Sequence, residues 1–321
     1  PYQPCLSLFI LLLPSDTRPL LSHLSATMLA WMLLSSTMWI SVLLSPLLLW
    51  DRVAAAAKGD DFLILYVGSI IWGVFSYVVA NIPFVYLDFA DPEWVQPYRI
   101  QDGDSKKVTF DRWWRALRLI AFNVLVIGPM GGYLMYRSGR IDLSPSLPSV
   151  FDVSRYDIIA LAIQFLGIVL VEEAGFYYSH RAFHHPRIYK YVHKIHHEWT
   201  APVSITSVYA HPLEHALSNV LPVMAGPMLM GSHVVMAWTW FTMALFTTTV
   251  SHSGYHLPFH PSAEAHDHHH VAFTECFGVL GILDYLHGTN RTFLDGVKFK
   301  RHRTYYTTEP IKVTYPDKKS D

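Results

Sequence analysis

The 321-residue chain is short of cysteine, of charge and of any excess of one sign. Cys5 and Cys276 are its only cysteines, which excludes a disulfide framework and a thiolate-rich metal site. Lysine and arginine number 24 against 25 aspartates and glutamates, so no basic surface points to nucleic acid. Charged residues make up 15% and hydrophobic ones 51%, and the apolar residues fall into long runs. That is the profile of an integral membrane protein.

Residues 5–13 are apolar but too short to span a bilayer, and Pro14 ends them. They read as a tail, interfacial or disordered, or as the remains of a signal sequence. Residues 28–50 are long enough to cross as a helix, with Trp31, Trp39 and Trp50 as interfacial anchors. A polar turn at 51–61 leads to a second span at 62–82, closed by Pro83. Residues 83–118 carry Arg99, Lys106, Lys107, Arg112, Arg115 and Arg118, whereas the facing turn has only Arg52 and Lys58. The positive-inside tendency puts the longer loop in the cytosol. Trp113 and Trp114 suggest a helix lying on the membrane surface there, an ordinary solvated loop being the alternative.

A third span at 119–136 is weakened by Gly128, Pro129, Gly131 and Gly132, and the following loop has turn signals at Pro145 and Pro148. A fourth, at 158–178, carries Glu172 and Glu173 in its last turns. Carboxylates at that depth need a polar cavity or a partner. Residues 216–250 form an apolar pair broken at Pro222, Pro227 and Gly231, whose crossing or mere dipping the sequence leaves open. The expected fold is all-α. About four transmembrane helices and a membrane-dipping hairpin carry a cytosolic, histidine-rich helical cap. Residues 1–157 form the N-terminal membrane region, 158–297 the catalytic domain and 298–321 a charged, peripheral tail.

Histidine is what the chain has in abundance. Of 19 histidines, 17 fall between His180 and His287. They gather in four clusters: SHRAFHH with His180, His184 and His185; HKIHH with His193, His196 and His197; HSGYH with His252 and His256; HDHHH with His266, His268, His269 and His270. Side chains three and four apart share a helix face, so each cluster can aim several imidazoles at one point. One such pair is weak, since buried histidines are common; four clusters in succession are hard to explain as packing.

Imidazole suits zinc, copper, iron and nickel rather than calcium or magnesium. The regular positions are His180, His184, His193, His196, His197, His252, His256, His266, His269 and His270. They are too many for one tetrahedral ion and suit two ions side by side. Two adjacent redox metals at the membrane surface can use O2 against an unactivated C–H bond of a lipid. The residues alone therefore point to a membrane oxygenase or desaturase.

The stretches SHRAFHHPRIYKYVHKIHHEWTAP, YAHPLEH, SHSGYHLPFHP, HDHHH and GVLGILDYLHGT resemble the fatty acid hydroxylase superfamily, over about residues 165–292. That group includes fatty acid and sphingolipid hydroxylases, sterol desaturases and C4-methyl sterol oxidases. The resemblance implies two iron ions on the cytosolic face of the endoplasmic reticulum. Zinc, whose affinity for such a site typically exceeds that of ferrous iron, could take their place in purified protein. It also implies O2 as oxidant, with electrons from NAD(P)H through cytochrome b5 and a reductase. Carried onto this chain, it makes ligands of the same ten histidines. The sterol-oxidase branch separates the first pair by three residues, as from His180 to His184; fatty acid 2-hydroxylases use four, as from His180 to His185.

Other side chains have two readings. His185 and His211 complete the ligand shell or, as favoured here, hydrogen-bond a ligand's second nitrogen. Glu172, Glu173, Glu198 and Asp284 orient ligands or relay protons, or they are caps and salt bridges. His268 reads as solvent-facing, and His215, His233, His260 and His287 as structural. Against the oxygenase stands a membrane zinc hydrolase, which would leave most histidines unused. A metal transporter or an inactive scaffold is a third class. A transporter, however, would carry its ligands at mid-bilayer inside the spans.

Overall fold

The structure is a computed structural model and describes residues 25–102, 108–144, 155–304 and 307–317. The apolar stretch at 5–13, Lys106, Lys107, Pro145 and Pro148 lie outside these residues. Among the described residues there is no strand, only two isolated bridges. The long helices are α1 (Ala26–Ala57), α2 (Phe62–Ala90), α3 (Phe110–Ser138) and α4 (Arg155–Phe183). A hairpin of α5 (residues 212–230) and α6 (Val234–Ser251) follows. Shorter helices α7 (Glu264–Ala272), α8 (Ile282–His287) and α9 (Val297–His302) build the cap.

Local sequence sets the helix ends. The Ser25 hydroxyl accepts from Met28 N at 3.1 Å and starts α1. Thr109 does the same for α3, and Gly139, with φ of 60°, ends it in the left-handed conformation that glycine adopts without strain. Helices α1, α2, α3, α4 from Ile158 and α6 are long and apolar enough to cross a membrane. The protein is an all-α membrane bundle.

Two expectations about the 83–118 region need correction. Pro83 does not close the second span: α2 runs through it to Ala90, and the Pro83 carbonyl accepts from the Trp31 indole at 3.2 Å. Neighbouring helices supply the contacts that let proline sit inside a membrane helix. Trp113 and Trp114 do not lie on a separate surface helix; they occupy the first turns of α3, which continues into the third span. The C-terminal residues also differ from a peripheral tail. Arg301 is only 1% exposed, and its guanidinium donates twice to the Tyr315 carbonyl, at 2.8 and 2.6 Å.

The hairpin left open by the sequence runs the depth of the bundle. Helix α5 lies antiparallel along α4, with Gly226 against Ile168 and Gly175 against Pro222. At the far end Asp142, in the loop after α3, accepts from Val234 N at 2.9 Å and donates its own N–H to Ser232 O at 3.0 Å. At the near end the chain returns to His252. The starts of α1, α3 and α5 and the ends of α2, α4 and α6 thus share one end of the bundle. There Ile100 N reaches Gly254 O at 3.0 Å and Arg112 reaches Glu198 O at 2.7 Å.

Small residues allow this close approach, as membrane helices require. A Cβ on Gly226 would stand 2.9 Å from the Ile168 carbonyl oxygen, whereas one on Gly73 would meet nothing within 4 Å. Gly226→Val should therefore cost about 1–3 kcal/mol, read as a lower thermal midpoint of the solubilised protein. Gly73→Ala should leave the midpoint unchanged or slightly raised.

Candidate metal centre

Four segments meet at the near end of the bundle. His180 projects from the last turn of α4 and His184 from the residue just after its end, while His193, His196 and His197 come from the short 3-10 turn His193–Glu198. His252 caps α6, while His266, His269 and His270 lie on α7. Nine imidazoles gather into two groups: His180, His184, His193, His197 and His269, and then His196, His252, His266 and His270. Within each group the candidate donor atoms lie within 4.8 Å of one another. All nine side chains are buried except His184 and His266, which are half-buried.

The hydrogen bonds reveal which nitrogen faces inward. His180 Nδ1 donates to Phe277 O (2.8 Å), His196 Nδ1 to Tyr209 O (3.0 Å), His252 Nδ1 to Thr248 O (2.8 Å) and His269 Nδ1 to Glu275 O (2.7 Å). His193 Nδ1 lies 2.7 Å from a Glu214 carboxylate oxygen. A neutral imidazole that donates through Nδ1 carries its lone pair on Nε2. Those Nε2 atoms crowd together. His180 Nε2 is 3.2 Å from His193 Nε2, His197 Nε2 is 3.0 Å from His193 Nε2, and His266 Nε2 is 2.8 Å from His252 Nε2. In the His180–His193 pair, where both Nδ1 atoms have partners, the facing lone pairs repel unless a cation sits among them. With metal–nitrogen bonds of about 2.0–2.1 Å, neighbouring donors in a tetrahedral shell lie about 3.3 Å apart. The donor set fits a pair of transition-metal ions.

Burial, then repulsion from neighbouring rings, holds His184, His193, His197, His252, His266, His269 and His270 below the ordinary histidine value. Burial pushes His196 down to about 4. The rings stay neutral at physiological pH, the form a metal binds.

The structure does not bring His256 into either group. After Ser251 the helix ends, Gly254 turns with φ of 75°, and His256 N pairs with Tyr98 O at 2.8 Å. His252 and His256 therefore do not share a helix face, and the His256 ring instead donates to Thr304 O at 3.0 Å. His185 and His211 do not hydrogen-bond ligands either. Their Nδ1 atoms accept from Arg187 N (3.3 Å) and Leu213 N (3.2 Å), each capping a helix that opens on proline. The dipeptides His185-Pro186 and His211-Pro212 carried that signal. His268 lies apart, 3.3 Å from Glu275.

None of the four singled-out carboxylates joins a nitrogen group. Glu173 accepts from Val279 N (3.0 Å) and Leu280 N (2.8 Å), and Asp284 from Phe277 N (2.9 Å) and Gly278 N (2.6 Å). Together they hold the loop whose Phe277 carbonyl orients His180. Glu198 accepts from the Tyr209 hydroxyl at 2.8 Å, beside the carbonyl that orients His196. Glu172 is buried in α4. Sequence reasoning missed Glu214, although it stands between His211 and His215 in the HPLEH stretch. A small cavity lined by Phe176, Ser207, Glu214, Ser218 and Thr248 touches both groups, at His180 and His193 and at His196, His252 and His266.

A membrane bundle with buried histidine clusters from four chain segments at one end defines a class of multi-pass, histidine-box proteins. The chain belongs to the fatty acid hydroxylase family, whose model matches residues 165–289. It is 40% identical to fatty acid hydroxylase domain-containing protein 2 of Homo sapiens, over 84% of this chain and 79% of that one. It is also 30% identical to methylsterol monooxygenase 1 of Danio rerio (75% and 81% covered). Identity to methylsterol monooxygenase 2-2 of Arabidopsis thaliana is 28% (73% and 88% covered). No solved structure matches the chain.

Two outcomes follow from the geometry. Glu214→Ala should weaken metal binding by about 10–100-fold, as losing a partner of a ligand's second nitrogen does; competition with a chelator would measure it. The second concerns pH. The folded histidine values lie below the unfolded value, so protons bind the unfolded chain more readily. Metal-stripped protein should lose stability as pH falls from 6.5 toward the His196 value of about 4, and should gain nothing further above about 7. A flat melting profile across that window would contradict the neutral, buried cluster.

Proposed function

We propose that the two histidine groups hold two iron ions and that the protein is an O2-dependent lipid oxygenase. The convergence of nine imidazole nitrogens, without a carboxylate in either group among the described residues, carries this reading. His180, His184, His193, His197 and His269 would hold one ion, and His196, His252, His266 and His270 the other. Zinc could take the same places in purified protein. Bound there, the iron pair would supply oxidation of an unactivated C–H bond by O2.

The chain's own residues do the rest. Phe277 O, Tyr209 O, Thr248 O, Glu275 O and Glu214 hold the Nδ1 protons, so that Nε2 faces inward in each of five rings. Burial excludes bulk water from the donors. The cavity beside Phe176 and Thr248 gives room next to both groups. Its place at the end of the spans lets a lipid approach from the bilayer.

A sterol-type substrate, oxidised at a methyl group as by a C4-methyl oxidase, is the reading favoured within the family. His184, separated from His180 by three residues, points into the cluster while His185 caps the next helix. That is the spacing the resemblance associates with the sterol-oxidase branch, and methylsterol monooxygenases are among the relatives. A long acyl chain, as in a fatty acid or sphingolipid hydroxylase or desaturase, is the second reading, supported by the family model. A zinc hydrolase would use only three ligands of the nine.

Electrons would come from NAD(P)H through cytochrome b5 or a reductase on the same face. The endoplasmic reticulum membrane, with the site in the cytosol, is the proposed location. Arg112, Arg115, Arg181 and Arg187 at the site end support that orientation.

Lipid profiles of cells with and without the protein, sterols first, test the reading. Wild-type protein should shift a methylated sterol or an acyl lipid toward oxidised products. His196→Ala should abolish the shift and lower bound iron while the protein still inserts. His256→Ala should keep its iron. A fully active His196→Ala variant would overturn the assignment.

A further inference from the structure

Residues 277–288 present an anomaly on the cap. The sequence FGVLGILDYLHG carries one acid, Asp284, and that side chain is turned inward, 1% exposed. Outward stand Val279, Leu280, Ile282, Tyr285 and Leu286, from 41% to 72% exposed. A cap facing water has no reason to display so continuous an apolar face.

The segment's neighbours say what covers it. Glu173, whose carboxylate holds Val279 N, Leu280 N and, at 3.3 Å, Leu283 N, is not at the end of α4. It precedes Phe183, the last residue of α4, by ten residues, or about 15 Å along the axis at 1.5 Å per residue. His287, at the other end of the segment, stacks on Tyr177 at 5.3 Å and meets the Tyr178 hydroxyl at 3.0 Å. The segment therefore lies back along α4, a helix apolar and long enough to span. On α4 itself Leu166, Leu170 and Tyr178 are exposed as well. Cations stand at the edge: Arg181 donates to the Tyr177 hydroxyl at 3.0 Å, and Arg291 flanks Gly288. An apolar face beside a span, with tyrosines and arginines at its rim, matches the acyl-to-headgroup boundary of a bilayer.

We propose that residues 277–288 form a second kind of membrane contact, an anchor that enters one leaflet beside α4 without crossing it. The bilayer lipids are its partner. Its inner side reaches the histidines. Asp284 fixes Phe277 N and Gly278 N, and the Phe277 carbonyl takes the His180 Nδ1 proton at 2.8 Å. Seating of the anchor in lipid thereby sets the direction of His180. This last link rests on the metal-centre reading; the anchor itself does not.

The experiment uses the whole protein in phosphatidylcholine nanodiscs, with a nitroxide attached through Leu286→Cys or, as a water-facing control, Arg303→Cys. Cys5 is replaced by serine; Cys276 is buried. Collision rates with O2, which concentrates in lipid, and with a water-soluble nickel chelate are compared. The label at 286 should favour O2 over the chelate by several-fold relative to the label at 303. Equal chelate access at the two positions would put the face in water and overturn the anchor. Shielding at 286 from both reagents would mean a protein or a second copy covers it, and would overturn it equally. Neither result depends on bound metal, so the anchor fails or stands apart from the metal reading. For the link to His180, Leu286→Asp should lower bound metal several-fold against Leu286→Ala. Equal metal in the two variants would overturn the link.

Discussion

Nine neutral imidazoles, seven buried and two half-buried, five of them with the Nε2 lone pair turned inward, are an arrangement that costs free energy until something positive sits among them. Alone, those rings would rotate, protonate or take up water. They are kept from doing so because each of five Nδ1 atoms has a fixed acceptor: four backbone carbonyls and one carboxylate. The placement of those acceptors is the constraint around which the molecule is built.

Four of the five acceptors are tied to the membrane bundle. Thr248 O belongs to α6 itself. Tyr209 O lies in a segment held from within the spans, since the Asn123 amide donates to Val208 O and Ala210 O at 2.9 and 2.8 Å, and the Tyr77 hydroxyl to Ile205 O at 2.9 Å. Phe277 O is fixed through Asp284 and, one layer further, Glu173 of α4. Glu214 begins α5, which packs along α4 through Gly226 and Gly175. Close packing of small residues deep in the bundle and the direction of rings at its end are thus parts of one structure. A shift between α4 and α5 would move Glu214 relative to His193.

How much of this was legible depends on the kind of signal. The spans were readable because apolar length is a property of the sequence itself, and the helix type was right throughout. Their ends were less readable. Pro83 reads as a stop, yet the Trp31 indole and the neighbouring helices accommodate it inside α2. The cluster histidines on α4 and α7 were readable because helical spacing is preserved there. His256 was not, because the same spacing falls on a turn at Gly254. Acceptors such as Phe277 O and Tyr209 O have no sequence signature at all; any residue has a carbonyl. Glu214 had one, and it was hidden by the histidines on either side.

The carboxylates near the site show why charge was kept off the ligand positions. Glu173 and Asp284 accept from backbone N–H groups, and Glu214 from a ring. Each negative charge or shared proton lies one bond network away from the inward nitrogens, where it stabilises direction rather than neutralising whatever the nitrogens hold. A pair of ions bound by neutral rings alone would keep nearly its full positive charge and stay electron-poor, whereas carboxylate ligands would have damped it. Such a centre belongs in a dry place, and the bundle supplies one: the rings gather where the cap meets the spans, with a small cavity beside Phe176 on α4. The same helix that exposes Leu166 and Leu170 carries His180 in its last turn, with His184 directly after its end. One helix therefore joins the membrane-spanning part of the molecule to the histidine groups.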